Sequence, residues 1–261
     1  MKTNIQKPKI LIAGAIFLIA FISLPLSQLN FLNSMPGDIG DARLNNYFLE
    51  NIYQFFLGTS DSLWNLKFFY PFPYILGFSD NLFGSSPIYL FFRSFIEHED
   101  TAFQLWFLFG YFANFTASYY VLRKLGASSL AASLGAAIFS FALPTTAHSG
   151  HVQLHYRFAL PLAIYFLIDF LDKKNFGLLV SSLAWLLWQF YAGIYIGFFT
   201  LLLMGIIFTT YLLKNSLYRI NRSEVTLAFI KSWKEQSSKR KLSIILSLLI
   251  ILVLLILYQL F

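Results

Sequence analysis

Residues 175–213 form a stretch of 39 residues without one charged side chain: NFGLLVSSLAWLLWQFYAGIYIGFFTLLLMGIIFTTYLL. As a single α-helix this stretch would reach about 58 Å at about 1.5 Å per residue. The hydrocarbon core of a bilayer is only about 30 Å thick, and about 20 apolar residues span it. We therefore predict two membrane-spanning helices that turn near Ala192–Gly193.

The composition of the whole 261-residue chain agrees with an integral membrane protein. Hydrophobic residues make up 57% and charged residues 12%, whereas a soluble domain carries roughly 25% charged residues. The net charge of +7 would indicate a nucleic-acid partner in a soluble protein, but here we predict none. Cysteine is absent, which excludes disulfides, thiolate metal sites and cysteine nucleophiles.

Other apolar segments with few or no charged residues predict five further spans. We predict an all-α, polytopic membrane protein of about seven transmembrane helices in a single domain over residues 1–261, with the N-terminus inside. The first span is interpreted as an uncleaved anchor, because no small-residue cleavage site follows its long apolar run. The predicted spans are 10–30, 102–122, one within 125–147, 157–171, two within 175–213, and 242–261.

The distribution of basic residues supports this count. In the seven-span arrangement 15 of the 19 Lys and Arg lie on the inner side, as the positive-inside rule requires. A rival arrangement counts the apolar segment 82–97 as a span. It would move the later basic clusters to the outer side, so we reject it. The expected location is a bacterial inner membrane, crossed several times.

Two long loops follow from this topology. Residues 35–100 form the first outer loop, which holds 8 of the 12 acidic residues and many aromatic ones. Leu44, Tyr47, Phe48 and Ile52 recur at helical spacing, which predicts interfacial helices lying on the membrane. Residues 214–241 form a basic inner loop, for which we predict a further interfacial helix and contact with anionic membrane lipid.

The apolar run at the C-terminus continues to Phe261 without a polar flank. We interpret the chain as the N-terminal portion of a longer protein or as a truncated product. A missing C-terminal part or a partner subunit is therefore among the expected partners.

The sharpest polar motif is PGDIGDARL at positions 36–44, directly after the first span. Pro-Gly predicts a turn, and Asp38 is suited to cap a helix that starts there. In such a helix Asp38 and Asp41 share one face. Two acids in a first turn can simply be stabilised by the helix dipole. Because they lie with Arg43 where the reactive end of a lipid-borne substrate would lie, they are also site candidates.

A second polar motif, HSGHVQLHYR at positions 148–157, lies between the third and fourth spans. His151 and His155 are four residues apart, which in a helix is a spacing that can bind a metal. No third ligand is evident in the loop, although Asp38 or Asp41 could approach. We favour a role for these histidines as polar lining of an outward-facing pocket. We therefore predict no dedicated metal site and no cofactor, although the sequence does not decide whether the activity requires a divalent metal.

Four basic residues depart from the inward charge bias. Arginine matches phosphate oxygens with two parallel hydrogen bonds, whereas a cation at the interface can also simply extend towards water. The phosphate-binding role is the favoured one for Arg43 and Arg157. The four residues are Arg43, Lys67, Arg93 and Arg157.

Together these motifs resemble the GT-C class of integral membrane glycosyltransferases over about residues 35–170. Asp41-Ala42-Arg43-Leu44 is similar to the Asp-Glu-x-Arg-Tyr type motif in the first outer loop of that class, with Ala42 in place of the second acid. The stretch from Phe69-Tyr70-Pro71 to Gly84-Ser85-Ser86-Pro87 with Arg93 is similar to uncharacterised bacterial members, as is His151-Val152-Gln153-Leu154 before Arg157.

The resemblance implies an inverting transfer of a hexosyl or pentosyl group from a polyprenyl-phosphate donor to an acceptor on the outer face. It implies Asp41 as general base with Asp38 second, and cations that hold the donor phosphate. The site residues so implied are Asp41 and Asp38 for catalysis, Arg43, Arg157 and Arg93 for phosphate, and His151, Gln153, His155 and Tyr70 for the substrate pocket.

Two other functions stay open at the level of sequence. A lipid-linked sugar transporter or flippase would place its charged groups near the middle of the bilayer, whereas here they cluster on the outer side. A truncated, inactive or partner-dependent protein would show no turnover alone. Only the glycosyltransferase predicts sugar transfer by the chain that is lost in the Asp41→Asn variant.

Overall fold

The structure is a computed structural model that describes residues 7–37, 39–142, 146–147, 150–217, 230–231, 233–234 and 236–259. Over these ranges the chain folds into nine α-helices with no β-strand, so the prediction of an all-α protein is confirmed. The helices are α1 Lys7–Phe21, α2 Asp41–Phe56, α3 Ser86–Arg93, α4 Glu99–Lys124, α5 Ser129–Phe141, α6 Ala159–Lys173, α7 Phe176–Ala192, α8 Ile194–Leu217 and α9 Ser238–Gln259.

The chain divides into two compact units, and the single domain over residues 1–261 stays a prediction. The first unit is Met1–Phe158 with Tyr191–Gly193, and the second is Ala159–Phe190 with Ile194–Phe261. Both candidate motifs of the sequence fall in the first unit.

The core of the first unit is built on α4. This helix packs against α5 and α3, while α2 packs against α3 and α4. Trp106 of α4 is fully buried and donates its indole N–H to the carbonyl of Ser85 at 3.2 Å. The Tyr156 hydroxyl donates to the carbonyl of Trp106 at 2.6 Å. Aromatic rings with a polar edge suit such a core because each buries a large area and still satisfies its donor.

The helix predicted in the first outer loop is present as α2, and the helical spacing of its apolar residues is confirmed. Its apolar face is not laid on a membrane surface: Phe48 and Leu49 are buried in the core of the first unit, and Ile52 is buried as well. The helix begins at Asp41, after Gly40, so the predicted start at Asp38 is wrong. Asp38 itself lies outside the described residues.

The predicted turn in the charge-free stretch is confirmed, since α7 ends at Ala192 and α8 begins at Ile194. This break packs closely within the first unit. The N–H of Gly84 donates to the carbonyl of Tyr191 at 2.7 Å. A Cβ atom on Gly84 would lie 2.5 Å from the N of Ala192, so only glycine permits this approach.

The second unit is held by apolar packing and a few polar contacts. Ala163, Leu167 and Met204 are buried between α6 and α8. The hydroxyl of Ser182 donates to the carbonyl of Ala163 at 2.7 Å. Much of α8 instead presents large apolar side chains outward, among them Phe198, Phe199, Leu202 and Ile206.

Two segments of the described chain are long and apolar enough to cross a membrane, namely Val152–Lys173 and Ile194–Lys214. Length and composition alone also suit a buried core helix, so these two segments are only a weak indication of a membrane. The predicted span 102–122 lies in α4, where amides and tyrosines lower the hydropathy. The rejected span 82–97 contains only the eight-residue α3, which at about 1.5 Å per residue cannot cross a bilayer.

Candidate functional site

The first turn of α2 contacts the segment after α5 through an acid and a histidine. The Asp41 carboxylate Oδ2 lies 2.9 Å from Nδ1 of His151. Both side chains are about half exposed, at 49% for Asp41 and 52% for His151. Asp41 is the first residue of its helix, where the unpaired N–H groups favour a negative charge. The pair is therefore a stable and accessible carboxylate with an imidazole beside it.

Gln153 joins this pair through a buried amide of α2. Asn45 is buried, and its Nδ2 donates to Oε1 of Gln153 at 3.1 Å and to the carbonyl of Asp41 at 2.7 Å. The backbone of Gln153 also approaches Gly193 closely, since a Cβ atom on Gly193 would lie 2.7 Å from the backbone carbonyl oxygen of Gln153. Asp41, His151 and Gln153, three of the predicted site residues, are thus brought together.

Arg43 lies on the same first turn of α2 but pairs with an acid that sequence analysis did not select. Its Nη1 lies 3.0 Å from Oδ1 of Asp100 in the first turn of α4, and both side chains are about half exposed. Nδ2 of Asn46 donates to the same oxygen at 3.1 Å. Asp100 could have been suspected as one of the acids of the outer loop nearest to the next span.

His155 is a core residue and not part of this site. Its side chain is buried, its Nε2 lies 2.7 Å from the carbonyl oxygen of Phe107, and its ring stacks on the Phe107 ring at 4.6 Å. A short 3₁₀ turn, Val152–Leu154, separates it from His151. The two histidines therefore do not share a helical face, and the predicted lining role of His155 is wrong.

No metal cluster forms in the described part of the chain. Among those residues no three His, Asp or Glu side chains are grouped closely enough to hold an ion. His148, the third histidine of the motif, lies outside them.

Arg93 is engaged in a partly buried ion pair with a residue on a different part of α2. Its Nε and Nη2 donate to the two carboxylate oxygens of Glu50 at 3.0 and 3.2 Å. The hydroxyl of Tyr89 donates to the same carboxylate at 2.6 Å. Burial, together with the hydrogen bond to Glu50, raises the pKa of Tyr89 well above its ordinary value. The geometry assigns Arg93 to this structural cluster, and the predicted phosphate contact is not supported.

Arg157 is directed against α5. Its Nη2 donates to the carbonyl of Phe139 at 3.0 Å, and its guanidinium lies 5.2 Å from the centre of the Phe139 ring. Its backbone N–H donates to Oδ1 of Asn114 at 2.9 Å. These contacts occupy the guanidinium group of Arg157, and the predicted phosphate contact is not supported.

Tyr70 lies in an exposed aromatic segment and not beside Asp41. Its side chain is 91% exposed, and it lines a shallow surface cavity with Phe69, Phe72 and Phe78. The predicted pocket role of Tyr70 therefore receives no support from the arrangement around Asp41.

Comparison of the chain with protein-family models, with curated proteins and with solved structures gives no match in any of the three. The chemistry of the site must therefore be argued from its own residues. An accessible carboxylate next to an imidazole can accept a proton from a hydroxyl group. A half-exposed arginine on the same turn can bind an anion.

Proposed function

We propose that the protein is a multi-pass membrane glycosyltransferase that moves a sugar from a polyprenyl-phosphate donor to an acceptor on the outer face of a bacterial inner membrane. The observation that carries the proposal is the half-exposed Asp41 carboxylate at the start of α2, 2.9 Å from His151. It joins two of the motifs on which the resemblance to the GT-C class rests, although 110 positions separate the two residues in sequence.

Contacts within the first unit support the seven-span topology. Three segments that the sequence places on the outer side meet there: the loop 35–100, the segment after α5, and the turn at 191–193. The contacts are Asp41 with His151, Gly84 with Tyr191, and Gln153 with Gly193. A chain that crosses the membrane seven times with the N-terminus inside brings these segments to one side.

Contacts within the second unit join segments that the sequence places inside. Nε2 of Gln236 donates to Oδ1 of Asn175 at 3.3 Å, and the rings of Phe176 and Trp233 lie 5.6 Å apart. The Lys174 ammonium lies 4.1 Å from the centre of the Tyr211 ring. Each partner lies in or next to a predicted inner loop, so both sets of contacts agree with the same topology.

The proposed chemistry uses Asp41 as the general base. The acceptor hydroxyl oxygen bonds to the anomeric carbon, and its proton passes to the Asp41 carboxylate. The bond between that carbon and the phosphate oxygen breaks, and the polyprenyl phosphate leaves with the electron pair. Because attack and departure occur on opposite faces, the configuration inverts. The leaving phosphate is a stable anion and requires no strong acid catalyst.

Arg43 is the cation that we assign to the donor phosphate. Its pair with Asp100 is 44% and 51% exposed, and such exposed pairs contribute only about 0–1 kcal/mol. A phosphate can therefore replace the carboxylate as its partner at little cost. Arg93 and Arg157 take no part in this step, since their guanidinium groups hold Glu50 and the Phe139 carbonyl.

The test is donor turnover by the full chain in proteoliposomes. The probes are long-chain polyprenyl-phosphate hexoses and pentoses labelled in the sugar, offered together with an extract of the native membrane as acceptor source. Release of polyprenyl monophosphate is measured for the wild type, Asp41→Asn and Asp61→Asn. Asp61 is an exposed acid of the same loop and serves as the matched control.

We expect Asp41→Asn to lower turnover by about 10²–10⁴-fold, the range that a positioned general base contributes, and Asp61→Asn to leave it unchanged. Equal turnover in Asp41→Asn and the wild type would overturn the assignment of the base. Passage of the labelled donor across the bilayer without cleavage, retained in Asp41→Asn, would favour a flippase.

A further inference from the structure

Between Lys67 and Ser79 the chain forms a loop, here called the aromatic loop, whose tip presents rings outward. Its exposed aromatic side chains are 56% to 91% accessible. Some of them surround an open cavity of ≈ 400 Å³ whose lining is almost entirely apolar. The exposed rings are those of Phe69, Tyr70, Phe72, Tyr74 and Phe78.

The base of the aromatic loop is fixed in the core of the first unit. Leu66, Ile75 and Leu76 are buried there. The N–H of Tyr74 donates to Oδ1 of Asn65 at 2.8 Å, and the N–H of Leu76 donates to the carbonyl of Trp64 at 3.2 Å. The loop is therefore anchored at its base. Its aliphatic residues face the core, whereas the aromatic rings at its tip face outward.

The aromatic loop and the residues around it are almost free of charge. From Asp61 to Asp80 the only charged residue between the two acids is Lys67. Its side chain is exposed at the edge of the loop. A surface this apolar with a single cation is unsuited to water, and large exposed apolar patches mark interaction sites.

We propose that the aromatic loop lies in the headgroup region of the bilayer, with its tip in contact with membrane lipid. Tyrosine and other amphipathic rings collect at that depth, and a lysine at the edge can bury its stem while its ammonium contacts the headgroups. The same chain carries apolar side chains outward along α8, a surface that is also suited to lipid.

Lipid is favoured over a soluble partner by this combination. A protein interface has a polar rim around its apolar centre. The segment 68–79, which presents the exposed rings, contains no charged residue that could contribute to such a rim. The inference depends on the chain being in a membrane and does not depend on glycosyl transfer. Phe68, at the start of the aromatic loop, stacks on Phe48 of α2 at 5.9 Å. Contact of the aromatic loop with lipid would therefore also fix the depth of α2 relative to the membrane.

Site-directed spin labelling tests the proposal directly, because the chain contains no cysteine. Tyr70→Cys and Phe72→Cys are labelled with a nitroxide in the full chain, which is then reconstituted in phosphatidylcholine vesicles with a minority of phosphatidylglycerol. Asp61→Cys, an exposed position of the same outer loop, is the matched control. Collision with oxygen, which dissolves in lipid, is compared with collision with an aqueous nickel chelate.

At Tyr70 and Phe72 we expect the ratio of oxygen to nickel accessibility to exceed that at Asp61 by about threefold or more, as for groups that enter the boundary between headgroups and acyl chains by about 5–10 Å. A ratio at Tyr70 and Phe72 equal to that at Asp61 would show a loop in water and overturn the proposal. Low accessibility to both reagents would place the rings against protein and overturn it too.

Discussion

Helix α2 carries two acids that differ in their surroundings more than in their chemistry. Asp41 at its start is half exposed and meets His151. Glu50, more than two turns further on, is 14% exposed and is held by Arg93 and Tyr89. The two histidines after α5 repeat the contrast, since His151 is exposed and His155 is buried.

This difference separates residues that are packed into the fold from residues whose side chains solvent and a substrate can reach. A carboxylate that accepts two hydrogen bonds from arginine and one from tyrosine has little capacity left for a substrate. A carboxylate at a helix start with one partner and open access retains that capacity. We therefore assign the buried member of each pair to stability and the exposed member to function.

The largest expected effect on stability is that of breaking the buried pair. Glu50→Gln removes the charge that balances Arg93 and leaves a partly buried cation. We expect the free energy of unfolding to fall by about 3 kcal/mol, the lower end of the range for removing one partner of a buried ion pair, because this pair is only partly buried. Unfolding in mixed micelles measures it, with Asp61→Asn as the control. A loss as small as that of the control would mean that the cluster is not structural.

A smaller effect is expected where α4 approaches the buried histidine. A Cβ atom on Gly110 would lie 2.3 Å from the ring of His155. Gly110→Ala should therefore lower the free energy of unfolding by about 1–3 kcal/mol, the usual cost of overpacking.

The matched control is Gly205→Ala in α8, where nothing lies within 4 Å of the added atom and alanine is favoured over glycine by about 1 kcal/mol in a helix. Equal shifts in the two variants, measured by the same unfolding assay, would contradict the tight packing around His155.

The smallest effect on stability is expected at the exposed histidine. His151→Ala removes a half-exposed partner of Asp41, and such pairs are worth about 0–1 kcal/mol. Donor turnover should fall nonetheless, since the carboxylate loses the group that orients it, though by less than in Asp41→Asn. His98→Ala, at another exposed histidine, should change neither quantity. Unchanged turnover in His151→Ala would remove this residue from the site.

Local sequence signals predicted the helices and the turn between α7 and α8. The length of the charge-free stretch 175–213 required a break, and Gly193 supplied one. The spacing of Leu44, Phe48 and Ile52 predicted α2. The same spacing could not show that Phe48 would be buried and stacked on Phe68 of the outer loop, because an apolar face looks alike whether lipid or protein covers it.

The candidate site was predictable only in part. Asp41, His151 and Gln153 were selected from their two motifs, and the structure brings them together. Arg93 and His155 were also assigned to the site, but the structure places them elsewhere. Their partners, Glu50 and the Phe107 carbonyl, lie 43 and 48 positions away in sequence, so local patterns could not reveal these contacts. Asp100 was missed for the same reason, since its pairing with Arg43 spans 57 positions. Pairings at such separations are set by packing, which local patterns do not contain.

The most direct test of this account compares Asp41→Asn and Glu50→Gln, two isosteric changes in one helix, for stability and turnover in the same preparations. We predict a crossed result. Asp41→Asn should unfold within about 1 kcal/mol of the wild type and lose turnover, whereas Glu50→Gln should lose stability and keep its turnover while folded. Asp41→Asn that unfolds as readily as Glu50→Gln, or keeps its turnover, would contradict the division between a structural and a functional acid.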